Sequence, residues 1–392
     1  MLKILFITHY SSLYGANKSL INLLEGIKHH NVKPFVVIPE KGDLGEYLEN
    51  HNIPYLIHQF NWWCGVEAQM PRKKFRNLIF KFERWKENLK RKKFNNSQLS
   101  SLKLKLGNFN PDFVHSNSSV FNFGLLYAIK YCIPHIWHLR ESQEHYHFQW
   151  YHNTNFINKT FKKSDVVITV SCFLREYYSR KNNIRNSKVL YNGVLSYKDL
   201  LKLDELRKLK TESVDEALVF GIVGLLHPKK GQEEAIKSFA IVNKNYPRAR
   251  LIIVGEGDQN RLRKLVEELK LTSSVEFFGH LKDPYEAFLT MDICLMCSRM
   301  EGMGRVTLEA MASGIPVIGY REGGTIELIE ENITGLFYEF DHNKLAEKMI
   351  YLIENREQRI KMGEIAREIF EKKYTSEIYA ENFMKILENY KK

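Results

Sequence analysis

Short apolar runs alternate with helically spaced apolar positions along almost the whole chain. Residues 3–8, 34–39, 53–58, 112–115, 135–138 and 165–170 each read as a strand. Between the first two, Leu20, Ile21, Leu23, Leu24 and Ile27 recur at near-helical spacing within 17–28, and 43–51 reads as a shorter helix. The second half repeats the rhythm, with strands expected at 218–223, 250–254, 275–278, 293–297 and 316–320, and helices at 231–243 and 259–269. Alternation of this kind predicts parallel sheets covered on both faces by helices. The opening MLKILFITHY turns polar too soon for a signal peptide and reads as a first buried strand.

The pattern divides the chain into two α/β halves, 1–195 and 216–373, joined by a polar, charge-rich linker at 196–215. An amphipathic helix at 375–390 closes the sequence within a terminal segment 374–392. With 392 residues, 44% of them hydrophobic, two packed domains are expected. One segment departs from the alternation. Residues 71–94 hold 11 basic and 2 acidic side chains, and Phe75, Leu78, Ile79, Phe82, Trp85 and Leu89 form one apolar stripe. A basic helix with such a stripe suits the headgroup layer of an anionic membrane, with a stripe packed on its own domain as the alternative.

Composition sharpens this picture. The net charge of +12 is uneven: residues 1–196 carry +15 and the remainder −3. The basic half calls for an anionic neighbour, and the 71–94 stripe makes that a membrane rather than nucleic acid, for which no recognition motif is present. Five scattered cysteines form no disulfide framework and fit a reducing cytoplasm, at the inner face of a membrane if 71–94 docks there. Cys294 and Cys297 form a lone C-x-x-C, but on a strand residues three apart face opposite sides, so no metal site is expected. His145, His147 and His152 read as a satisfied loop rather than a metal cluster.

Several loops offer phosphate- and hydroxyl-binding chemistry. Tyr14-Gly15-Ala16-Asn17 follows a strand and opens a helix, where backbone amides favour an anion. His227-Pro228-Lys229-Lys230-Gly231 sets a lysine at a strand–helix turn. Gly255-Glu256-Gly257-Asp258 lacks the third glycine of a dinucleotide fingerprint, which argues against NAD. The strongest stretch is 298–314, SRMEGMGRVTLEAMASG: Glu301 stands on a glycine loop, and Glu309 lies eight residues on, in a small-residue helix. A carboxylate buried there must be hydrogen-bonded, and a pair of ribose hydroxyls would serve.

With its E-x7-E spacing and EAMASGIPVI continuation, this stretch resembles the retaining glycosyltransferases of the GT-B fold, glycosyltransferase family 4. Gly279-His280, Gly323-Gly324 with Glu327, Thr334-Gly335-Leu336, Pro111-Asp112-Phe113-Val114-His115, His138-Leu139-Arg140-Glu141 and Tyr191-Asn192-Gly193-Val194 match further landmarks in order. The resemblance implies two Rossmann-like domains with parallel sheets facing across a cleft, the first binding the acceptor, the second the nucleotide sugar, and a last helix crossing back to the first. It implies transfer of a hexose from a UDP- or GDP-sugar to an acceptor hydroxyl on a glycan or lipid-linked chain, in polysaccharide, capsule, lipopolysaccharide or glycolipid synthesis, with no metal or other cofactor.

Carried over residue by residue, His138, Glu301 and Lys230 would serve the reaction. Glu301, Gly302, Met303 and Gly304 would hold the sugar, Thr307 would contact the donor, and Glu309 would hold the ribose. Lys230 would meet the diphosphate, Gly15 and Ala16 would face it from the first domain, and His280 and Leu281 would line the base. One departure stands out: Leu225 occupies the place of the family's usual arginine after Gly224. A protein that binds nucleotide sugars with little transfer is therefore the alternative.

Overall fold

The computed structural model describes residues 1–66, 77–142, 148–209, 217–281, 283–339 and 341–391. It separates into two compact units, Met1–Asn192 with Tyr379–Lys392, and Gly193–Ile378. Each is built on its own parallel sheet.

In the first unit the strands are β1 (Leu2–Ile7), β2 (Val32–Ile38), β3 (Tyr55–Ile57), β4 (Cys64–Val66), β5 (Phe113–Ser116), β6 (His135–Leu139), β7 (Phe148–Trp150), β8 (Val166–Thr169) and β9 (Lys188–Val189). Seven of them form one sheet in the order β3-β2-β1-β5-β6-β8-β9, and β4 pairs with β7 in a separate antiparallel sheet. β1 is central, and its residues Ile4 to Ile7 are wholly buried because helices cover both faces. Ile4 and Phe6 pack with Leu20, Leu23, Leu24 and Ile27 of the helix Gly15–Ile27. Leu5 and Ile7 pack on the other face with Leu99, Leu102 and Leu106 of the 30-residue helix Asn77–Leu106. The final helix, Ser376–Lys391, adds Tyr379, Ala380, Phe383 and Leu387 to the core around Phe6.

The second unit contains β10 (Val219–Val223), β11 (Arg250–Val254), β12 (Val275–Gly279), β13 (Ile293–Met296), β14 (Val317–Tyr320) and β15 (Gly335–Tyr338), in the order β12-β11-β10-β13-β14-β15. Cys294 and Cys297 fall into the cores on opposite faces of this sheet, as the strand period requires.

The stretch expected as a linker holds a helix, Tyr197–Leu209, that belongs to the second unit. Leu200 and Leu203 are buried, Asp204 pairs with Arg367 at 2.5 Å, and the Arg207 guanidinium lies so close to Gly314 that a β-carbon there would come within 2.2 Å of it. The charged residues that made 196–215 read as a solvated linker are thus the outer and pairing face of a packed helix.

Candidate active site

Open parallel sheets bind ligands outside the carboxyl ends of their strands, where the strand order reverses. In the second unit that point lies between β10 and β13. The loop after β10 carries Gly224 to Lys230, and the loop after β13 carries Cys297 to Gly304. Gly231 brings the two together: its φ is +75°, and a β-carbon there would lie 2.4 Å from Cys297 Cβ. Lys230 Nζ reaches Glu301 Oε2 at 2.8 Å, with both side chains more than four-fifths buried. A cation and a carboxylate that were read separately from the sequence therefore form one pair at the switch point.

The glycines of Gly323-Gly324 set the far wall. Gly324 N–H donates to Glu301 C=O at 2.8 Å, and a β-carbon on Gly324 would sit 2.4 Å from Gly302 O. Backbone packs directly on backbone, which fixes the 301–304 loop. Gly304, at φ +81°, starts the helix Arg305–Ala312, so the amides of that helix's first turn open beside the loop. Thr307 is buried in the first turn, and Met303 is buried beneath the loop. Glu309 is buried one turn on, with Oε1 2.9 Å from Arg305 Nε. The charge partner its burial demands is thus supplied within the helix at i−4. His280 and Leu281 leave the carboxyl end of β12, two strands from the switch; His280 is exposed and Leu281 packs on the core. Leu225 is 44% exposed, and its carbonyl accepts from Gln232 Nε2 at 2.9 Å.

The first unit has its switch between β1 and β5. Buried Asn17 shapes the loop after β1 by donating to Tyr10 and Ser12 carbonyls, each at 2.9 Å. Gly15 opens the following helix, exposed and with nothing within 4 Å of where a β-carbon would stand. Ala16 C=O accepts from Asn117 Nδ2, just past β5, at 3.1 Å.

His138, expected near the reaction centre, lies inside β6 with no exposed surface. Its side chain falls on the face covered by the final helix, with the ring centroid 6.5 Å from that of Tyr379. Nδ1 lies 3.2 Å from His115 Nε2 and 3.3 Å from Arg140 Nη2. Arginine only donates, so His138 Nδ1 accepts and the ring carries its proton on Nε2. Burial and the Arg140 charge hold its pKa well below the usual histidine range, so the ring stays neutral.

The polar groups at the carboxyl end of β6 are the next two residues. Arg140 donates to Asn117 Oδ1 at 2.8 Å, Asn192 Oδ1 at 2.7 Å and Tyr379 OH at 3.1 Å. Glu141 is buried and accepts from Ser118 Oγ, Ser119 N–H and Ser119 Oγ at 2.5–2.8 Å; burial raises its pKa against these bonds. Sequence reasoning gave Arg140 no role, although a charged residue one step past a buried strand is the available signal. His145 and His147 lie outside the described residues, while His152 Nδ1 pairs with Asn88 Nδ2 at 3.1 Å.

Two family models match successive parts of the chain: Glycosyltransferase Family 4 over residues 14–195 and Glycosyl transferases group 1 over 205–369. The N-acetyl-alpha-D-glucosaminyl L-malate synthase of Bacillus anthracis is 31% identical over 57% of this chain and 59% of its own length. A GDP-mannose-dependent monoacylated alpha-(1-6)-phosphatidylinositol monomannoside mannosyltransferase of Corynebacterium glutamicum is 35% identical over 42% of this chain and 45% of its own. The chain thus spans about half the length of these two relatives. The alpha-monoglucosyldiacylglycerol synthase of Acholeplasma laidlawii is 24% identical over 94% and 92%. Among solved structures, Anabaena Alr3699/HepE in complex with UDP superposes with a TM-score of 0.75 at 20% identity, covering 99% of this chain and all of that one.

Proposed function

The chain belongs to the group 1, family 4 glycosyltransferases of the GT-B fold, and on that premise we propose that it moves a hexose from a UDP- or GDP-sugar to an acceptor hydroxyl with retention of configuration. The observation that carries this reading is the Lys230–Glu301 pair at the switch point, beside the first turn of a helix that holds Glu309. Lys230 and the amides after Gly304 take up the negative charge that grows on the departing diphosphate, the role of a preorganised electrostatic site. Glu301 holds hydroxyls of the sugar, and Glu309, oriented by Arg305, holds those of the ribose. The proposed step draws its charge stabilisation from these groups and uses no metal ion. Neutral, buried His138 acts through Arg140 as a positioning residue in the first unit.

The donor range is supported by relatives and neighbours: one is named as GDP-mannose-dependent, and HepE is solved with UDP-glucose. Synthesis of a cell-surface glycan or glycolipid at the inner face of a membrane belongs to the same reading, and the Acholeplasma relative is named for glycolipid synthesis. Among the described residues no helix is long and apolar enough to cross a membrane. Contact with anionic lipid would instead use the Asn77–Leu106 helix, where Trp85 and Leu89 are 55% and 45% exposed.

Thermal shift against UDP-glucose, GDP-mannose and ADP-glucose tests the donor reading, because a ligand of the folded state raises Tm by mass action. A UDP- or GDP-sugar should stabilise the protein, and no shift with any of the three defeats the proposal. Exposed Leu225 in the place of a cation favours the second reading, donor binding with little transfer. Donor-dependent Tm shifts without release of nucleoside diphosphate would select it.

A further inference from the structure

The site in the second unit contains two ion pairs built alike. Lys230 Nζ lies 2.8 Å from Glu301 Oε2, and Arg305 Nε lies 2.9 Å from Glu309 Oε1. In each pair the cation is the more exposed member. The Lys230 side chain is 19% exposed against 15% for Glu301, and that of Arg305 17% against 5% for Glu309. Each pair is neutral in itself.

A nucleotide sugar is charged in its middle and uncharged at both ends. Hydroxyls of the sugar and of the ribose flank a doubly charged diphosphate. Carboxylates suit the two ends, Glu301 the sugar and Glu309 the ribose, because a carboxylate only accepts and a hydroxyl donates. The diphosphate between them calls for cations, and Lys230 by itself leaves one of its charges unmatched. Leu225, exposed on the loop after β10, adds none.

Arg305 stands beside the path between the two carboxylates. It is the first residue of the helix Arg305–Ala312, next to left-handed Gly304. Residues four apart share one face of a helix and lie about 6 Å apart along its axis. Arg305 is therefore on the Glu309 face, one turn nearer the 301–304 loop. A ligand that reaches from Glu301 to Glu309 passes this first turn, whose backbone amides favour negative charge as well. A guanidinium carries five N–H donors in a planar fork. One arginine can thus hold a carboxylate through Nε and a phosphate through its terminal nitrogens.

We propose that Arg305 is the second cation that binds the donor diphosphate, working beside Lys230. The inference rests on the donor-site reading and adds the residue that completes its charge match. Donor binding redistributes the two pairs. The carboxylates turn to the hydroxyls at the ends, and the cations, each positioned by its carboxylate, take the charged middle. Arg305 is then a direct contact of the donor as well as the support of Glu309, and Leu225 leaves no gap in the charge match.

Titration calorimetry with UDP and GDP tests the idea on four forms of the full chain: wild type, Arg305→Gln, Glu309→Gln and the double variant. Glutamine keeps a hydrogen-bond donor for Glu309 and removes the charge. With the nucleotide that the wild type binds, Arg305→Gln should raise Kd about tenfold or more, the usual loss for a bond to a charged group. The matching nucleoside, uridine or guanosine, followed by saturation-transfer NMR, should weaken less than about twofold, since it has no diphosphate. The double variant leaves no buried charge unpaired, so it carries the test even if the single variant unfolds. Adding Arg305→Gln to Glu309→Gln should raise the nucleotide Kd by a further fivefold or more, because the contact does not pass through Glu309. Three outcomes overturn the proposal and leave Arg305 as a support of Glu309 only: nucleotide binding unchanged by Arg305→Gln, equal weakening of nucleoside and nucleotide, or a loss that vanishes in the Glu309→Gln background. Wild type that binds neither UDP nor GDP defeats the donor reading itself, and this inference with it.

Discussion

Lys230 and Glu301 are 71 residues apart in the chain and 2.8 Å apart in the fold. Each could be singled out in the sequence, one before a glycine at a turn and the other heading the E-x7-E stretch. Their pairing could not, because it depends on three crossover connections that return the chain to β13 beside β10, at the carboxyl ends of two central strands. The Arg305–Glu309 contact was within reach, since i,i+4 neighbours on a helix meet. If Lys230 stabilises the leaving diphosphate, Lys230→Ala should lower kcat by about 10²–10³-fold, the usual cost of one preorganised charge-stabilising group. Glu309→Gln, which keeps the volume, should mainly raise the Kd for the nucleotide in titration calorimetry. Unchanged kcat in the first variant with unchanged Kd in the second would remove both residues from the site. Gly231 sets up a separate expectation about stability. Its left-handed φ and its 2.4 Å approach to Cys297 Cβ leave no place for a methyl group, so Gly231→Ala should destabilise the second unit by about 2 kcal/mol or more, read by denaturant unfolding.

At the scale of elements, the central strands were legible because each is a continuous apolar run. Such runs do not say which face a side chain takes, since both faces are buried. The family resemblance puts His138 near the reaction centre, and its ring lies on the face of β6 that the final helix covers. The β4–β7 pair escaped notice for another reason. Cys64 lies opposite Trp150, 86 residues away, and each strand has only three residues. The basic stripe of 71–94 was read correctly as helical from residue 77 onward, while 71–76 lie outside the described residues. Exposed Trp85 and Leu89 beside Lys86, Lys90, Lys92 and Lys93 suit an anionic bilayer better than a buried seam. Replacing both with serine removes side chains whose burial is worth about 1.5–3 kcal/mol each. The double variant should therefore cosediment with phosphatidylserine vesicles at least tenfold more weakly. Equal cosedimentation of variant and wild type would end the membrane proposal.

At the scale of the whole molecule, the amphipathic character of 375–390 was plain in the sequence, but periodicity does not name the surface a helix docks on. Tyr379, Phe383 and Leu387 enter the first unit's core, where the rings of Phe383 and Tyr379 lie beside buried His115 and His138. Among the described residues, the histidines whose pKa is lowered, His9, His58, His115, His135 and His138, all lie in that unit. Burial pushes His9 and His135 down to about 3, against 6.5 for the free side chain. A depressed folded pKa means that the unfolded chain binds more protons once the pH drops below 6.5. The stabilisation is complete above that value and is lost as pH falls from 6.5 toward 3, at about 1.4 kcal/mol per pH unit for each such histidine. Glu141 works in the opposite sense, since its raised pKa favours the folded state at low pH, but it is one group against several. The first unit should therefore be the acid-labile one. All five tryptophans, at 62, 63, 85, 137 and 150, lie in it, so their fluorescence reports its unfolding alone. Between pH 7.5 and 5.0 the fluorescence-detected Tm should fall by several degrees more than the transition of the second unit followed by circular dichroism. A fluorescence Tm that holds steady across this range would mean that the buried histidines gain their protons without cost to the fold.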